Sequence, residues 1–272
     1  MKLRRLIPGT AGFALIVAAG CASLPWSRPQ PVRVLVFNIH AGKDAKAVDN
    51  LEQVARLVTT TQADLVLLQE VDRGTTRSGN VDQIDRLATA TGYSPAFAPS
   101  LVSYQGGQYG IAALARELVG YHATIPLVVT PVQTRAGGSR EPRVALLAYA
   151  TVRGASWRLV NTHVDPADRE ARAQELQQVA ALARQHQSEA RSMLIGGDLN
   201  ATPEDPGLAA LRDAGLRDAW VECGRGDGFT FPADKPVKRI DYLWLGGDLR
   251  CASAIVLDTM ISDHRPLLVT LK

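Results

Sequence analysis

A carboxylate and an amide follow directly after a short apolar run in the last third of the chain. The run is Met193-Leu-Ile195, two glycines come after it, and Asp198 and Asn200 come next. In an extended segment, residues two apart project from the same face, so both side chains would point the same way from a strand end. Such a pair can bind a hard cation and orient a water or a phosphate oxygen. On these residues alone a polar turn is an equally good interpretation.

Other polar residues lie at or beside the ends of further apolar runs. Each has a structural alternative: Glu70 could be a surface strand terminus, His163 a core histidine, and Asp241 a capping residue. Their recurrence at strand ends argues against coincidence and predicts a shared cleft, in which carboxylates repel unless a cation or an imidazole compensates. The residues of this set are Asn38, Glu70, His163, Asp198 with Asn200, Asp241, and Asp263 with His264.

The elements that must position these residues alternate along the chain. Strands outnumber helices, and helices lie between some of the strands, which indicates a layered sandwich of mixed-direction sheets flanked by helices. Apolar spacing predicts helices at 48–59, 80–91, 166–187 and 206–213. Strands are predicted at 32–37, 64–70, 94–98, 109–115, 123–129, 143–152, 157–163, 193–195, 239–245, 250–257 and 267–271.

The first 20 residues have the pattern of a secretory signal. A basic start precedes a small apolar stretch, Ala11 to Gly20, that is too short to span a bilayer. The Ala18-Ala-Gly-Cys21 ending resembles the lipobox of bacterial lipoproteins, although Ala18 stands where that motif prefers Leu, so ordinary cleavage or an uncleaved anchor remains open. Residues 21–31 form a proline-rich tether. We expect an exported, monomeric protein of the periplasm or envelope, held at the membrane through Cys21.

Composition is that of one globular domain at 32–272, following the signal and the tether. The formal charge is 30 − 27 = +3, but residues 1–20 hold three of the basic residues and no acids, which leaves 27 − 27 = 0 for the mature chain. A neutral domain disfavours non-specific nucleic-acid binding as the main activity. Cys223 and Cys251 could pair in an oxidising compartment, but we favour two unpaired, buried, small side chains.

Six segments together resemble the endonuclease/exonuclease/phosphatase (DNase I-like) superfamily. This superfamily includes pancreatic deoxyribonuclease, apurinic endonucleases, bacterial sphingomyelinases and inositol polyphosphate 5-phosphatases. The resemblance covers 32–272 and implies a four-layer α/β/β/α sandwich, two mixed sheets flanked by helices, that cleaves phosphate esters. The segments are Asn38, Leu68-Gln-Glu70, Asn161-Thr-His163, Gly197-Asp-Leu-Asn200, Arg239-Ile-Asp-Tyr242 and Ser262-Asp-His-Arg-Pro266.

The resemblance also implies a metal site. Glu70 would be the main ligand, Asn38 would assist it, and Asp263 would lie in the metal or water network. Few carboxylates and several waters around one hard cation are typical of Mg²⁺, and Mn²⁺ or Ca²⁺ are the alternatives. No cysteine and histidine pairs at zinc spacing are present in the sequence.

The remaining roles implied by the resemblance concern water and phosphate. Asp198 and Asn200 would orient the attacking water and the phosphate, and His163 would donate to a phosphoryl oxygen. Asp241 would hold His264 by one ring nitrogen, which fixes the tautomer that a base towards water requires.

Four further features depart from the family pattern or extend it. Many relatives carry Gly-Asn-Ala-Ile-Leu-Ser-Arg where this chain has Gly110-Ile-Ala-Ala-Leu-Ala-Arg116, so we assign no catalytic role there. Tyr109 is a phosphate-contact candidate, with a core aromatic as the favoured alternative. Arg143 could bind a phosphate as a fork donor, or form a surface salt bridge. The loop 229–236 is expected to line the cleft.

These observations predict a Mg²⁺-dependent phosphoesterase acting on a phosphodiester or phosphomonoester. A lipid headgroup or a small-molecule phosphate at the envelope is favoured over nucleic acid, because the mature chain is neutral and has no basic stripe interleaved with aromatics. The alternatives are an exported DNase I-like endonuclease acting on DNA or RNA, and a non-catalytic binding lipoprotein that kept the fold.

Overall fold

The computed structural model describes residues 30–132, 139–187 and 192–272. Two six-stranded sheets stack on one another and carry helices on their outer faces. The predicted signal, the lipidation candidate Cys21 and most of the predicted tether lie outside the described residues.

The first sheet has the strand order β11-β12-β1-β2-β4-β3. Only β1 and β2 run parallel, and the other neighbours are antiparallel. Its strands are β1 (Val32–Asn38), β2 (Leu65–Arg73), β3 (Ser94–Tyr104), β4 (Gly107–Ala115), β11 (Cys251–Val256) and β12 (Leu267–Leu271).

The second sheet has the order β5-β6-β7-β8-β10-β9. Here β7 and β8 form the parallel pair. Its strands are β5 (Leu118–Leu127), β6 (Arg143–Val152), β7 (Ala155–His163), β8 (Ser192–Asp198), β9 (Arg217–Asp218) and β10 (Asp241–Gly247).

Five α-helices accompany the sheets in the described residues: α1 (Leu51–Thr60), α2 (Gln83–Thr91), α3 (Arg169–Gln187), α4 (Ala209–Asp213) and α5 (Ala219–Cys223). Helix α1 buries Leu51, Val54, Ala55 and Val58, the i, i+3, i+4, i+7 face that its spacing predicts. Helix α2 begins at the cap Asp82, whose side chain accepts the N–H of Asp85, and ends at the left-handed Gly92. No described helix is long and apolar enough to cross a membrane.

Three clusters of buried apolar side chains fill the spaces between the layers. One lies between the sheets and includes Val34, Leu67, Leu194 and Leu243. A second packs α3 and α4 on the second sheet, and a third packs α1 and α2 on the first. The predicted sandwich of two mixed sheets flanked by helices is confirmed.

The elements missed or misjudged in the sequence are short or exposed. Strand β9 and helix α5 are too short to show a period. Strand β5 is an edge strand with mostly exposed residues, so its pattern lacks a buried face, and it begins at Leu118 where 123 was predicted. Helix α3 begins at Arg169, three residues after the predicted start.

The expectation that Cys223 and Cys251 are unpaired is wrong. They form a disulfide whose Cα atoms lie 5.7 Å apart, within the usual range for such a bond. Cys223 ends α5, which packs beside β9 and β10 of the second sheet, and Cys251 begins β11 at the edge of the first. The bond therefore links the two sheets at one side of the sandwich. The sequence could not show that Cys223 lies near Cys251, because α5 was not predicted.

Candidate active site

Strand direction brings the predicted polar residues to one edge of the sandwich. The parallel pair β1 and β2 places Asn38 opposite Gln69, and the parallel pair β7 and β8 places His163 opposite Asp198. Strand β10 runs antiparallel to β8, so its first residue, Asp241, also lies opposite Asp198. Directly paired residues point to the same face of a sheet. His163, Asp198 and Asp241 therefore form one row.

This row faces the space between the two sheets. Along β8 the side chains alternate, and Leu194, four residues before Asp198, belongs to the intersheet core. On β1, Val36 belongs to the intersheet core, so Asn38, two residues later, also lies on the inner face. The candidate site is thus the polar end of the intersheet layer, beyond the point where its apolar packing stops.

Asn38 joins the two sheets at this edge. Its Nδ2 donates to Glu70 Oε1 and to Asp198 Oδ2, both at 3.1 Å, and its Oδ1 accepts the main-chain N–H of His40 at 3.0 Å. An amide donor between two carboxylates relieves their repulsion. In this orientation the oxygen of Asn38 accepts from the main chain and its nitrogen faces the two carboxylates.

Glu70 reaches the site because β2 is irregular at this point. The pairing of β2 with β4 shifts between Leu68 and Val71, and Glu70 has a φ of +56°. A bulge of this kind redirects a side chain. The half-buried Glu70 consequently lies beside Asn38. The preceding residue, Gln69, donates across the intersheet layer to Asn161 Oδ1 at 2.7 Å.

Asn161 is a positioning residue, a role that the sequence did not predict. Its Nδ2 donates to the carbonyls of Leu68 and Ala112, both at 2.8 Å, so one side chain of the second sheet fixes two strands of the first. Its only signal was its place in the Asn161-Thr-His163 segment.

Asp198 is positioned at the end of β8 by the close approach of Gly197 to β7. Gly197 has a φ of +138°, and a Cβ there would lie 1.9 Å from the carbonyl oxygen of Thr162, so only glycine fits. Asp198 Oδ1 accepts the N–H of Asn200 at 3.0 Å. The Asn200 amide donates to the carbonyl of Val164 at 3.0 Å, which leaves its oxygen as the atom available to other groups.

His264 lies between two carboxylates. Its Nδ1 is 2.9 Å from Asp241 Oδ2, and its Nε2 is 3.6 Å from Asp198 Oδ2. Burial disfavours the imidazolium, but Asp241 and Asp198 outweigh it and raise the pKa of His264 to about 10. Burial, with a further contribution from Asp241, raises the pKa of Asp198 to about 7 against the opposing effect of His264. The two carboxylates therefore favour the protonated form of His264.

His163 has the opposite protonation behaviour. Burial, Arg143 and His264 together hold its pKa well below the usual value. Arg143 Nη1 lies 3.3 Å from His163 Nδ1, and a guanidinium can only donate, so Nδ1 must be the acceptor nitrogen. The neutral ring then carries its hydrogen on Nε2, which lies 3.6 Å from Asp198 Oδ2.

Arg143 and Tyr109 both adjoin this histidine. Arg143 is 7 % exposed and forms a salt bridge of 3.5 Å with Glu141 Oε1, so the ion pair predicted as the alternative is present, but it is buried and does not lie at the surface. Tyr109 is buried, and the two side chains line a small cavity together with His163 and Ser100. The pKa of Tyr109 is raised well above its usual value by burial, with Glu70 adding to the effect. Tyr109 thus packs as a core aromatic that also adjoins the site.

The segment before β12 closes the edge from the side of the first sheet. Ser262 Oγ donates to the carbonyl of Asn38 at 2.8 Å and fixes the turn that carries Asp263 and His264. The half-buried Asp263 lies 3.8 Å from Nδ1 of His40. His40 was not singled out in the sequence, and its position two residues after Asn38 is the signal that could have found it. The Phe231 ring lies 4.8 Å from the His264 ring, as expected for the loop 229–236.

One group of donors at this edge can hold a metal ion, and Glu70 beside Asn38 offers a further carboxylate. Asp198, Asp241 and His264 each offer a ligand atom within 4.8 Å of the others, and Asp241 Oδ1 is buried without a hydrogen-bond partner among the described residues. Asp241 Oδ2, however, already pairs with His264 Nδ1. We therefore favour a metal position on the side of the site where Glu70 and Asp198 flank Asn38. Oxygen-rich donors suit a hard divalent cation. Glu70 as the main ligand stays a prediction.

Comparisons with known proteins agree with this fold. A structure of an endonuclease/exonuclease/phosphatase family protein from Bacteroides thetaiotaomicron is similar, with a TM-score of 0.74 and 17% identity over 90% of this chain and 95% of that one. A mannosyl-6-phosphatase from Bacteroides thetaiotaomicron VPI-5482 has a TM-score of 0.74 and 18% identity over 89% and 99%. TDP2 from Caenorhabditis elegans has a TM-score of 0.68 and 22% identity over 89% and 74%.

A comparison with curated proteins gave no match. The model of the Endonuclease/Exonuclease/phosphatase family matches residues 35–264, which include every strand-end residue of the candidate site. The superfamily consists of hydrolases such as phosphatases and nucleases. This chain belongs to the Endonuclease/Exonuclease/phosphatase family.

Proposed function

We propose that this protein is a metal-dependent hydrolase of phosphate esters. The observation that carries the proposal is the convergence of Asp198, the His264–Asp241 pair, His163 and the Asn38–Glu70 pair at one edge of the intersheet layer. Phosphoryl transfer asks a protein mainly for positioning and charge neutralisation. A row of imidazoles and carboxylates at fixed distances can provide both.

Glu70 would hold the divalent cation, preferably Mg²⁺, with Asn38 and Asp263 assisting. When bound, the cation would polarise a phosphoryl oxygen and neutralise negative charge. Glu70 is suited to this because the bulge in β2 presents its carboxylate next to a second carboxylate, Asp198, through the Asn38 amide.

Asp198 would orient the attacking water and accept its proton. Its pKa of about 7 is near neutrality, where a general base works well. Asn200 would assist through its amide oxygen. His264, with a pKa raised to about 10 by its carboxylate neighbours, would act as the imidazolium that donates to the phosphoryl group. The role of base that the sequence predicts for His264 stays the alternative prediction.

His163 would donate to a phosphoryl oxygen from Nε2. The contact from Arg143 supports this tautomer. The low pKa of His163 keeps its ring neutral, so the imidazole does not form an ion pair with Asp198. Arg143 and Tyr109 remain candidates for direct phosphate contact.

For the substrate we propose a lipid headgroup or a small-molecule phosphate. The neutral mature chain supports this choice over nucleic acid. The similar fold of a mannosyl-6-phosphatase is consistent with a small phosphomonoester, although that similarity concerns the fold alone. The Phe231 ring beside His264 offers an apolar wall to the leaving group.

The test is a substrate panel with the full chain. Bis(p-nitrophenyl) phosphate, p-nitrophenyl phosphate, sugar phosphates, phospholipids, plasmid DNA and RNA would each be assayed with Mg²⁺ and with EDTA. His264→Ala is the site variant, and His122→Ala, exposed on the edge strand β5, is the matched control. Preferred turnover of DNA or RNA would replace the substrate proposal by the nuclease alternative. No turnover of any ester would favour the binding lipoprotein.

We further propose that the protein works as an exported monomer of the periplasm or envelope, anchored through Cys21. The support is the signal pattern of residues 1–20 and the resemblance of 18–21 to a lipobox. Radiolabelled palmitate should label the wild-type chain and leave Cys21→Ala unlabelled. Equal labelling of both would overturn the anchor.

A further inference from the structure

Three loops lie side by side at the edge that carries the candidate active site. The loop 43–49 follows β1, the loop 257–261 precedes β12, and the loop 231–238 precedes β10. Strand β12 runs antiparallel to β1, and β10 runs antiparallel to β8. All three loops therefore belong to the edge at which β1 and β8 end. We call them the rim loops.

Hydrogen bonds connect the rim loops to one another. Asn50, directly after the first loop, donates from Nδ2 to the carbonyl of Ile261 in the second at 2.6 Å. The N–H of Ala233 in the third loop donates to the carbonyl of Asp263, two residues beyond the second loop, at 2.7 Å. The three loops thus form one continuous surface.

Each rim loop exposes an aliphatic side chain. Val48 is 56 % exposed, Val237 is 55 % exposed and Met260 is 47 % exposed. Single exposed apolar residues are common on protein surfaces, but these three lie on adjoining loops. Apolar side chains that are exposed together indicate a surface that contacts another body.

The same loops hold most of the lysines of this protein. The sequence contains six lysines, and apart from Lys2 in the predicted leader and Lys272 at the end of the chain, all lie on the first and third rim loops. The other basic residues are arginines. The rim lysines form no ion pair with any described residue. They are Lys43, Lys46, Lys235 and Lys238.

The acids of the rim loops only partly compensate this charge. Asp49 pairs with an arginine of α2 at 3.4 Å, and Asp258 pairs with Arg265 at 2.9 Å. Asp44 and Asp234 accept main-chain N–H groups of their own loops. Four lysines therefore stand against two acids that have no cationic partner, and the surface is positive.

Exposed aliphatic side chains between unpaired lysines suit an anionic lipid surface. Aliphatic groups insert between lipid headgroups, while lysine stems lie along apolar material and keep their ammonium groups at the phosphates. Each lysine near an anionic leaflet adds to the attraction. Nucleic acid is less well matched, because bases stack on aromatic side chains, and the side chains that the rim loops expose are aliphatic.

We propose that the rim loops dock the catalytic edge onto an anionic phospholipid surface. The third loop also carries Phe231, whose ring lies 4.8 Å from the His264 ring, so a docked surface would adjoin the candidate site. A phospholipid headgroup is then the substrate class that this edge meets. That consequence rests on the proposed hydrolase function, whereas the docking does not.

The rim loops and the predicted lipid anchor can act on the same membrane. Strand β1 has 7 residues and spans roughly 20 Å from Val32, next to the tether, to Asn38 at the catalytic edge. The 11 residues of the tether, 21–31, reach up to about 36 Å when extended. Since this reach exceeds the length of the strand, an anchored chain can turn its catalytic edge towards the bilayer.

The experiment measures co-sedimentation with vesicles in the presence of EDTA. The protein is residues 22–272, which lack the leader and Cys21 but contain every described residue. The vesicles consist of phosphatidylcholine alone, or of equal parts of phosphatidylcholine and phosphatidylglycerol. We expect binding to the anionic vesicles to be about tenfold or more tighter than to the neutral ones, and to weaken at high salt.

Variants of the rim loops test the two parts of the surface. Lys46→Glu with Lys238→Glu should weaken binding to anionic vesicles by about tenfold or more, because attraction is replaced by repulsion. Val48→Asp with Val237→Asp should weaken it by a similar factor, because the inserted apolar groups are lost. Val237→Trp should strengthen binding, since tryptophan favours the membrane interface. Circular dichroism checks that each variant is folded.

Matched controls make the same changes away from the rim loops. Lys272→Glu, after the end of β12, with Arg184→Glu, at an exposed position near the end of α3, repeats the charge reversal. Val221→Asp on α5 repeats the apolar change at a side chain that is 77 % exposed. These controls should bind vesicles as the parent chain does.

The outcomes separate docking from hydrolysis. Absence of vesicle binding, equal affinity for neutral and anionic vesicles, or equal weakening by rim and control variants would overturn the docking. Tighter binding to duplex DNA than to vesicles, lost in the double lysine variant, would assign the surface to nucleic acid and overturn it too. His264→Ala should bind vesicles normally. Vesicle binding by a protein that hydrolyses no ester would support the docking and contradict the proposed function alone.

Discussion

Asn38 of the first sheet and Asp198 of the second are joined by a hydrogen bond of 3.1 Å, although 160 positions separate them in the chain. The same amide nitrogen also contacts Glu70. One side chain thus sets the distance between the carboxylate proposed to hold the metal and the carboxylate proposed to activate water.

Asn38→Ala should lower both stability and activity. Two buried carboxylate contacts lose their donor, which is expected to cost about 1–3 kcal/mol in the free energy of unfolding. Urea denaturation measures the first effect, and kcat measured where the variant is fully folded measures the second. Unchanged values of both would show that the amide does not organise the site.

Asp241→Asn should lower the pKa of His264 from about 10, because the carboxylate is the largest influence raising it. The change is observable as the NMR titration of the His264 ring protons in metal-free protein, assigned with His264→Ala. Activity should fall by about 10²- to 10⁴-fold, the usual contribution of a positioned proton donor. Asp227→Asn, at an exposed position, is the control. An unmoved His264 titration would contradict the pairing.

Gly197→Ala should be strongly destabilising. The added Cβ meets the Thr162 carbonyl at 1.9 Å and the backbone has a φ of +138°, so we expect a loss of about 3 kcal/mol or more. Gly215→Ala is the matched control: its φ is +78°, but a Cβ there meets nothing within 4 Å, so only the backbone strain of about 1 kcal/mol applies. Equal losses in the two variants would refute the steric argument.

Glu175 should make stability fall as the pH rises through the weakly acidic range. Burial raises its pKa from 4.5 to about 7, so between these values the folded state binds the proton and the unfolded state does not. The folded state is therefore favoured at the lower pH, and its advantage from this group, up to about 3 kcal/mol, is lost by about pH 7. Glu175→Gln should remove this dependence. Parallel unfolding curves of both proteins from pH 5 to 8 would contradict it.

Much of the sandwich could be predicted because strands and helices carry local patterns. The spacing of its apolar residues predicted the buried face of α1. Apolar runs that end abruptly predicted the polar residues at the ends of β1, β7 and β8. Strand β5, whose edge position leaves most of it exposed, and the short β9 and α5 carry no such pattern. The pairing of Cys223 with Cys251 depended on α5 and was missed with it.

The site could be predicted only as a set of residues. Register explains why His163, Asp198 and Asp241 share a row, but a sequence does not show that Arg143 turns inward to His163, that a bulge redirects Glu70, or that the Asn38 oxygen faces the main chain. These are long-range or backbone-specific contacts. The contacts of His264 with Asp241 and Asp198 depend on the fold in the same way, and they favour its protonated form.

The most direct test is Mg²⁺-dependent hydrolysis of bis(p-nitrophenyl) phosphate by the wild type, His264→Ala and Asp198→Asn. We predict turnover by the wild type that EDTA abolishes and added Mg²⁺ restores, with kcat reduced by about 10²-fold or more in each folded variant. Hydrolysis that persists in EDTA, or near-normal turnover by either variant, would contradict the proposed active site.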